Sequence, residues 1–167
     1  MAVELVKSAQ ITNADAVPSV INPAQVASGR VRFMRGVGAL SATASIGSII
    51  RFFCIKSNDL VANLELDCDA ITSGAADIGL YRTTVDGGAV VDADFFASAQ
   101  SIATALRATD VTRESGVITV PNMEKPIWQL LGLSADPQID YCIAATLTAA
   151  ATAAGSVSLS GRIIGRN

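Results

Sequence analysis

Glu65, Asp67 and Asp69 recur at every second residue within the run 63–70. On an extended chain that spacing places all three on one face, neighbours about 6.5–7 Å apart at a rise of about 3.3 Å per residue. Two chemistries use such acids. Hard oxygen ligands suit calcium. Paired carboxyls hydrolyse glycosides, at about 5–5.5 Å in retaining enzymes and about 6.5–9.5 Å in inverting ones. Nothing in the sequence supplies the aromatic platform of a sugar site. The same stripe reads first as a solvated acidic face, and second as a docking strip for a neighbour's basic residues. Arg30, Arg32 and Arg35 are either the bases it would meet, within the sheet or between subunits, or unrelated surface charges.

Other reactive groupings are sparse. The chain has no histidine, so Ser-His-Asp and Cys-His nucleophilic catalysis are excluded. Cys54, Cys68 and Cys142 form no C-x-x-C pair, and their spacing matches no zinc module. Cys54 and Cys68 lie inside apolar strand patterns and read as small buried hydrophobes. An odd count of three argues against a secreted disulfide framework. Gly36-Val37-Gly38 lacks the third glycine and the following helix of a dinucleotide loop, and Gly87-Gly88 lacks the lysine of a phosphate loop. Asp92-Ala-Asp-Phe-Phe96 reads as a loop folded back on the core by its phenylalanines, or as an anchor for a partner. No metal, cofactor or catalytic residue is expected.

The elements that carry these residues are strands. In 63–70, Leu64, Leu66, Cys68 and Ala70 alternate with the polar set, a period found only in a half-buried strand. Residues 48–56 are apolar on both faces and suit a central strand covered on both sides. Turn chemistry at Ser57-Asn58-Asp59 makes 48–56 and 60–71 a hairpin-like pair. Further strands are predicted over 30–40, with a bulge or bend at Gly36 and Gly38, and over 77–84. The segment 93–100 is ambiguous and could form a helical turn. A short strand is predicted at 117–120. Pro126 and Gly132 bracket one short helix whose Trp128, Leu130 and Leu131 plug the end of the fold. Residues 139–147 and 156–163 read as a terminal hairpin. About eight strands with turn signals between them predict a mainly β fold, an antiparallel β-sandwich of jelly-roll type.

Residues 1–29 differ in character. Pro18 and Pro23 break short apolar pieces such as Val20-Ile21. They predict an extended N-terminal arm, with a short strand at 4–7, or else a disordered tail, attached to a sandwich domain over 30–167. Val20 and Ile21 are its candidate partner contacts.

Composition sets the class of partner. The 167 residues are long enough for one domain with a real core. Only 16% are charged, against roughly 25% in a typical soluble domain. So poorly charged a surface points to repeated burial against copies of itself or another protein. The net charge of −3 and the lack of a basic, aromatic-laced groove argue against direct nucleic-acid binding. The N-terminus lacks signal-peptide character and no apolar run is long enough to span a bilayer. The chain is expected to be made and kept in a cytoplasm, or to leave it by a route other than a cleaved signal, with no membrane partner.

Gly47-Ser-Ile-Ile-Arg-Phe-Phe-Cys-Ile-Lys-Ser-Asn-Asp59, Leu64-Glu-Leu-Asp-Cys-Asp69, Ala76-Asp-Ile-Gly-Leu-Tyr81 and Gly88-Ala-Val-Val-Asp-Ala-Asp-Phe-Phe-Ala-Ser98 together resemble small structural proteins of tailed bacteriophages, of the capsid decoration or cement kind. The resemblance covers about residues 47–98. It implies a non-enzymatic β-sandwich that binds the outer surface of an assembled shell, bridges major capsid protein subunits, and acts as a homodimer or homotrimer. The molecule would then be made in the host cytoplasm and reside on the virion's capsid surface. Alternatives are a phage tail or head-fibre protein, and a carbohydrate-binding module using Glu65, Asp67 and Asp69 with Trp128 or Tyr81.

Overall fold

A computed structural model describes residues 2–20 and 31–165. The strands are β1 (Leu5–Lys7), β2 (Val31–Leu40), β3 (Ile49–Lys56), β4 (Leu60–Cys68), β5 (Ala75–Arg82), β6 (Val90–Ser101), β7 (Leu106–Asp110), β8 (Asp140–Ala149) and β9 (Gly155–Ile164). Two short helices, α1 (Ala9–Asp15) and α2 (Ile127–Leu130), and a 3₁₀ turn (Val120–Asn122) complete the described elements.

The strands form two sheets, in the orders β1-β3-β8-β5-β6 and β2-β9-β4-β7. Their pairing has a simple origin. β5 pairs with β6, β4 with β7, β3 with β8 and β2 with β9, all antiparallel. The chain is thus one long hairpin, folded at the β5–β6 turn and rolled so that successive rungs alternate between sheets. Contacts β4–β9 and β5–β8 close the roll. This is a jelly roll, as the alternating apolar strands predict.

The core lies between the sheets. Leu64, Leu66 and Cys68 of β4 face it, opposite Val157, Leu159 and Ile163 of β9 and Phe52, Phe53 and Ile55 of β3. The period-two reading of 63–70 holds through Cys68, with Glu65 and Asp67 outward and half-buried. Phe95 and Phe96 are buried edge to face, ring centroids 4.8 Å apart. The segment 93–100 is therefore strand, and its phenylalanines serve the core. A large bulge lies here: three residues of β5, Ile78 to Leu80, span six of β6, Ala97 to Asp92. Gly79 permits it, since a Cβ there would lie 2.1 Å from the Asp92 carbonyl oxygen.

Several expectations need correction. The strands over 48–56 and 60–71 are not paired, and neither are 139–147 and 156–163. Each pair crosses from one sheet to the other, because a strand with one fully apolar face gains more by stacking on a sheet than by lying beside its neighbour in sequence. Gly36 and Gly38 create no bulge, since β2 and β9 stay in continuous register. They face inward where β2 crosses β3, and a Cβ on Gly36 would lie 2.4 Å from the Phe52 carbonyl oxygen. Residues 117–119 form no strand, although Ile118 is buried. Among the described residues there are two short helices rather than one. Ile127, not Trp128, is the fully buried plug of α2, with Leu130 and Leu131 packed behind it.

The N-terminal segment is also more folded than an extended arm. β1 adds to β3 in parallel register, Leu5 to Ile49 through Lys7 to Arg51. Ser8 caps α1, accepting from the Ile11 N–H at 3.4 Å. Ile11 is buried, and Lys7 reaches Asp15 at 2.7 Å. α1 packs against β3 beside this pairing. Val20 is described and exposed. Ile21 and Arg30, together with the 29/30 division between arm and sandwich, lie outside the described residues.

The cysteines divide differently from their reading as separate hydrophobes. Cys54 of β3 and Cys142 of β8 occupy opposite register positions and are joined in a disulfide. Cys68 remains a free, buried thiol that donates to the Thr104 carbonyl oxygen at 3.6 Å. Burial pushes its pKa up. A raised thiol pKa leaves less thiolate at pH 8 than an ordinary cysteine has, and the thiolate is the nucleophile. Cys68 is expected to resist a disulfide-exchange thiol reagent in the native protein and to react as one equivalent when denaturant is added without reductant. Rapid labelling of the native protein would contradict this burial.

Candidate functional site

The outer face of the β2-β9-β4-β7 sheet gathers most of the described candidate residues. Met34, Gly36, Gly38 and Leu40 point β2 inward. The alternate residues Val31, Phe33, Arg35 and Val37 must then face solvent. Val31, Phe33 and Val37 are 60%, 53% and 49% exposed, a row of large apolar groups on the outside of a strand. The central strand β9 contributes Ser156, Ser158, Ser160 and Arg162. β4 contributes Asn63, Glu65 and Asp67.

Pairing register fixes how these rows align. Phe33, Arg162 and Asn63 share one level across the sheet; Arg35, Ser160 and Glu65 the next; Val37, Ser158 and Asp67 the third. Ser158 and Ser160 are nearly buried between taller neighbours. The face is therefore a shallow trough, serine-floored, with an apolar and basic bank on β2 and an acidic bank on β4. A depression of about 280 Å³ at its 67–69 end is lined by Arg35, Asp67, Asp69 and Arg107 among others.

The acids are partly engaged by their own fold. Glu65 accepts from the Asn63 side-chain amide at 3.0 Å. Asp67 accepts from the Ala108 N–H at 3.0 Å, where β7 departs from regular register against β4. Asp69 accepts from the Ser156 N–H at 2.9 Å. Each thus satisfies a polar group that would otherwise lack a partner. Among the described residues no three acidic or cysteine side chains converge as a metal site would require.

The arginines separate. Arg35 lies beside the stripe: its Nε donates to Ser158 Oγ at 2.9 Å, and no described carboxylate is within ion-pair distance. Arg32 points the other way, into the end of the sandwich, and is bound to Asp59 in the β3–β4 turn. It belongs to the fold rather than to a surface. Its β2 position explains this, since odd and even residues take opposite faces.

Tyr81 and Trp128 are not near the acids. Tyr81 is fully buried in the other sheet, where its hydroxyl meets Thr146 and its ring lies 5.2 Å from the Arg51 guanidinium. Trp128 sits in α2 at the end of the sandwich, its backbone N–H donating to the Ser57 carbonyl oxygen at 3.0 Å. The acid-plus-aromatic arrangement of a carbohydrate-binding site is not formed.

Sequence reading missed Arg51. Its guanidinium is buried and donates to the carbonyl oxygens of Arg82 at 3.1 Å and Gly88 at 2.7 Å. It fastens the β5–β6 turn over the outer face of the first sheet, beside a depression of about 360 Å³. A single arginine in an apolar strand was the available signal. In the same sheet, burial and the side chain of Asp94 raise the pKa of Asp92. No helix among the described residues is long and apolar enough to cross a membrane.

No protein-family profile and no curated protein matches this chain. Solved structures do. A chain titled "Capsid of Ralstonia phage GP4" superposes with a TM-score of 0.61 at 13% identity, over 98% of this chain and 99% of that one. A chain from the "Cyanophage Pam1 capsid asymmetric unit" gives a TM-score of 0.49 at 14% identity, over 92% and 96%. At such identities the likeness is one of fold. Near-complete coverage on both sides also makes the first neighbour about the same length as this chain.

Proposed function

We propose that this chain is a non-enzymatic structural protein of a bacteriophage virion, a decoration or cement subunit that attaches to the outside of the assembled shell and bridges major capsid protein subunits as a homo-oligomer. The observation that carries the reading is the end-to-end fold likeness to a capsid chain of similar length. Low charge and the outward apolar residues support it. A subunit that holds a shell needs many modest contacts, because multivalency multiplies weak affinities. It needs no catalytic centre, and the reading assigns none.

The shell contact is assigned to the N-terminal side of the sandwich. There Val3, Leu5 and Ile46 are exposed together, Ser45 being tied to Ala2 by a backbone hydrogen bond of 3.2 Å. Val17 and Val20 follow, also exposed. They lead toward Ile21, so the apolar part of the proposed arm begins where α1 ends.

Purified protein mixed with bacteriophage shells lacking an accessory protein should co-sediment saturably, at a fixed ratio to major capsid protein. Val17→Asp with Val20→Asp should lower occupancy at least tenfold without shifting the melting temperature. These positions suit the test better than deletion of 1–29, which would strip Ile11 from β3. Absence of saturable binding would overturn the reading. Labelling confined to tails or fibres of intact particles would favour the tail or head-fibre alternative.

A further inference from the structure

We infer that the serine-floored trough on the β2-β9-β4-β7 face is the contact between two copies of this chain, packed face to face about a two-fold axis running along β9. This names a surface for the self-association contained in the proposed function and rests on that reading.

The argument is geometric. Arg35 and Glu65 flank Ser160 at one level, each one strand away from it. With strands about 4.8 Å apart they stand roughly 10 Å from one another. Rotation by 180° about an axis above Ser160 and parallel to β9 exchanges the two banks and preserves the level. Arg35 of each copy then lies over Glu65 of the other. At the next level Val37 of each copy lies over Asp67 of the other, next to its own Arg35. One face therefore carries both halves of a reciprocal ion pair, as an isologous contact demands.

The floor makes the approach possible. Ser158 and Ser160 are short, so two β9 strands can come close without side-chain collision. Arg162 of the two copies would face across the same axis, a repulsion that centres the contact on Ser158 and Ser160. Arg35 reinforces the assignment, because its guanidinium has only a neutral hydroxyl partner among the described residues. Phe33 and Val37, half exposed, supply the apolar area.

Size sets the strength. The three facing strands β2, β9 and β4, of up to ten residues, offer a plane of about 15 by 30 Å, or roughly 450 Å² per copy. That lies below the roughly 800 Å² per partner of a stable standard interface. The free protein should therefore associate at micromolar concentrations rather than nanomolar.

Sedimentation velocity of the full chain from about 1 to 300 µM, without shells, tests the inference. The wild type should pass from monomer to dimer across this range. Arg35→Glu and Glu65→Arg should each weaken association at least tenfold. The double variant Arg35→Glu/Glu65→Arg should restore it to within about threefold, because the reversed charges again face one another. Circular dichroism melts establish that each variant is folded, and Phe33→Ser serves as an independent variant with an expected loss of association. A monomer at every concentration overturns the inference, as does association that neither single charge reversal weakens, or a double variant no better than the singles. Shell co-sedimentation of the same variants separates the two readings. Retained shell binding with no dimer sinks only this interface, and a charge-dependent dimer without shell binding sinks only the shell reading.

Discussion

Asp59→Ala is expected to lower the unfolding free energy by about 3–5 kcal/mol, the usual cost of removing one member of a buried ion pair. Asp59 is 2% exposed and its carboxylate is bound to Arg32, itself only 15% exposed. The same carboxylate accepts from the Lys56 N–H at 2.9 Å, and the Asp59 carbonyl oxygen accepts from the Ile127 N–H at 3.1 Å. One residue therefore ties β2, the β3–β4 turn and α2 together at one end of the sandwich. Removing its side chain leaves a guanidinium in a dry site with no counter-ion. The double change Arg32→Met/Asp59→Ala removes that orphan charge as well and should recover a substantial part of the loss. Urea denaturation of the four proteins in the cycle measures both quantities. A double variant as unstable as Asp59→Ala would show that the Lys56 turn, and not the ion pair, carries the effect.

Gly36→Val should cost about 3 kcal/mol or more and prevent accumulation of folded protein near physiological temperature. The position is in regular strand geometry, so the objection to a side chain is space. A Cβ would fall 2.4 Å from the Phe52 carbonyl oxygen and 2.6 Å from its Cα. These are backbone atoms of β3, which cannot rotate aside. Relief would require β2 to lift away from β3, opening the core beside Met34 and Phe52. Gly47→Ala is a useful contrast, since no atom lies within 4 Å of its would-be Cβ, and its φ of +84° makes backbone strain the only cost, about 1–2 kcal/mol. Comparing the melting temperatures of the two tests the reason for each glycine.

Much of the scaffold was legible because burial imposes a period. Leu64, Leu66 and Cys68 announced their face, and the two-sided apolar run around Phe52 announced a covered strand. Pro126 and Gly132 bracketed α2. What could not be read depends on contacts distant in sequence. Cys54 and Cys142 are 88 residues apart and meet only through the β3–β8 register. α1 has one buried apolar residue, too few to establish a helical period, although Ser8 was an available capping signal. On β2 the inward side is occupied by Met34, two glycines and, only at its end, Leu40, so hydrophobicity alone would have turned Val31 and Phe33 to the core. That inversion matters for the candidate surface. It takes Arg32 out of contention, leaves Arg35 beside Asp67, and places an aromatic on the outer bank. The acidic stripe itself was legible as a face, while its ties to Ala108 and Ser156 required the tertiary structure.

The rolled hairpin also dictates when the molecule becomes whole during synthesis. β5 and β6 can zip up soon after they leave the ribosome, but β2 has no neighbour in its sheet until β9 arrives, over a hundred residues later. A nascent or prematurely ended chain consequently holds β2, with Phe33 on it, as an unpaired ribbon prone to aggregation. The serine row between the two banks is laid down only once β9 has been made, so fragments stalled before β9 are denied a place in any assembly built through that face.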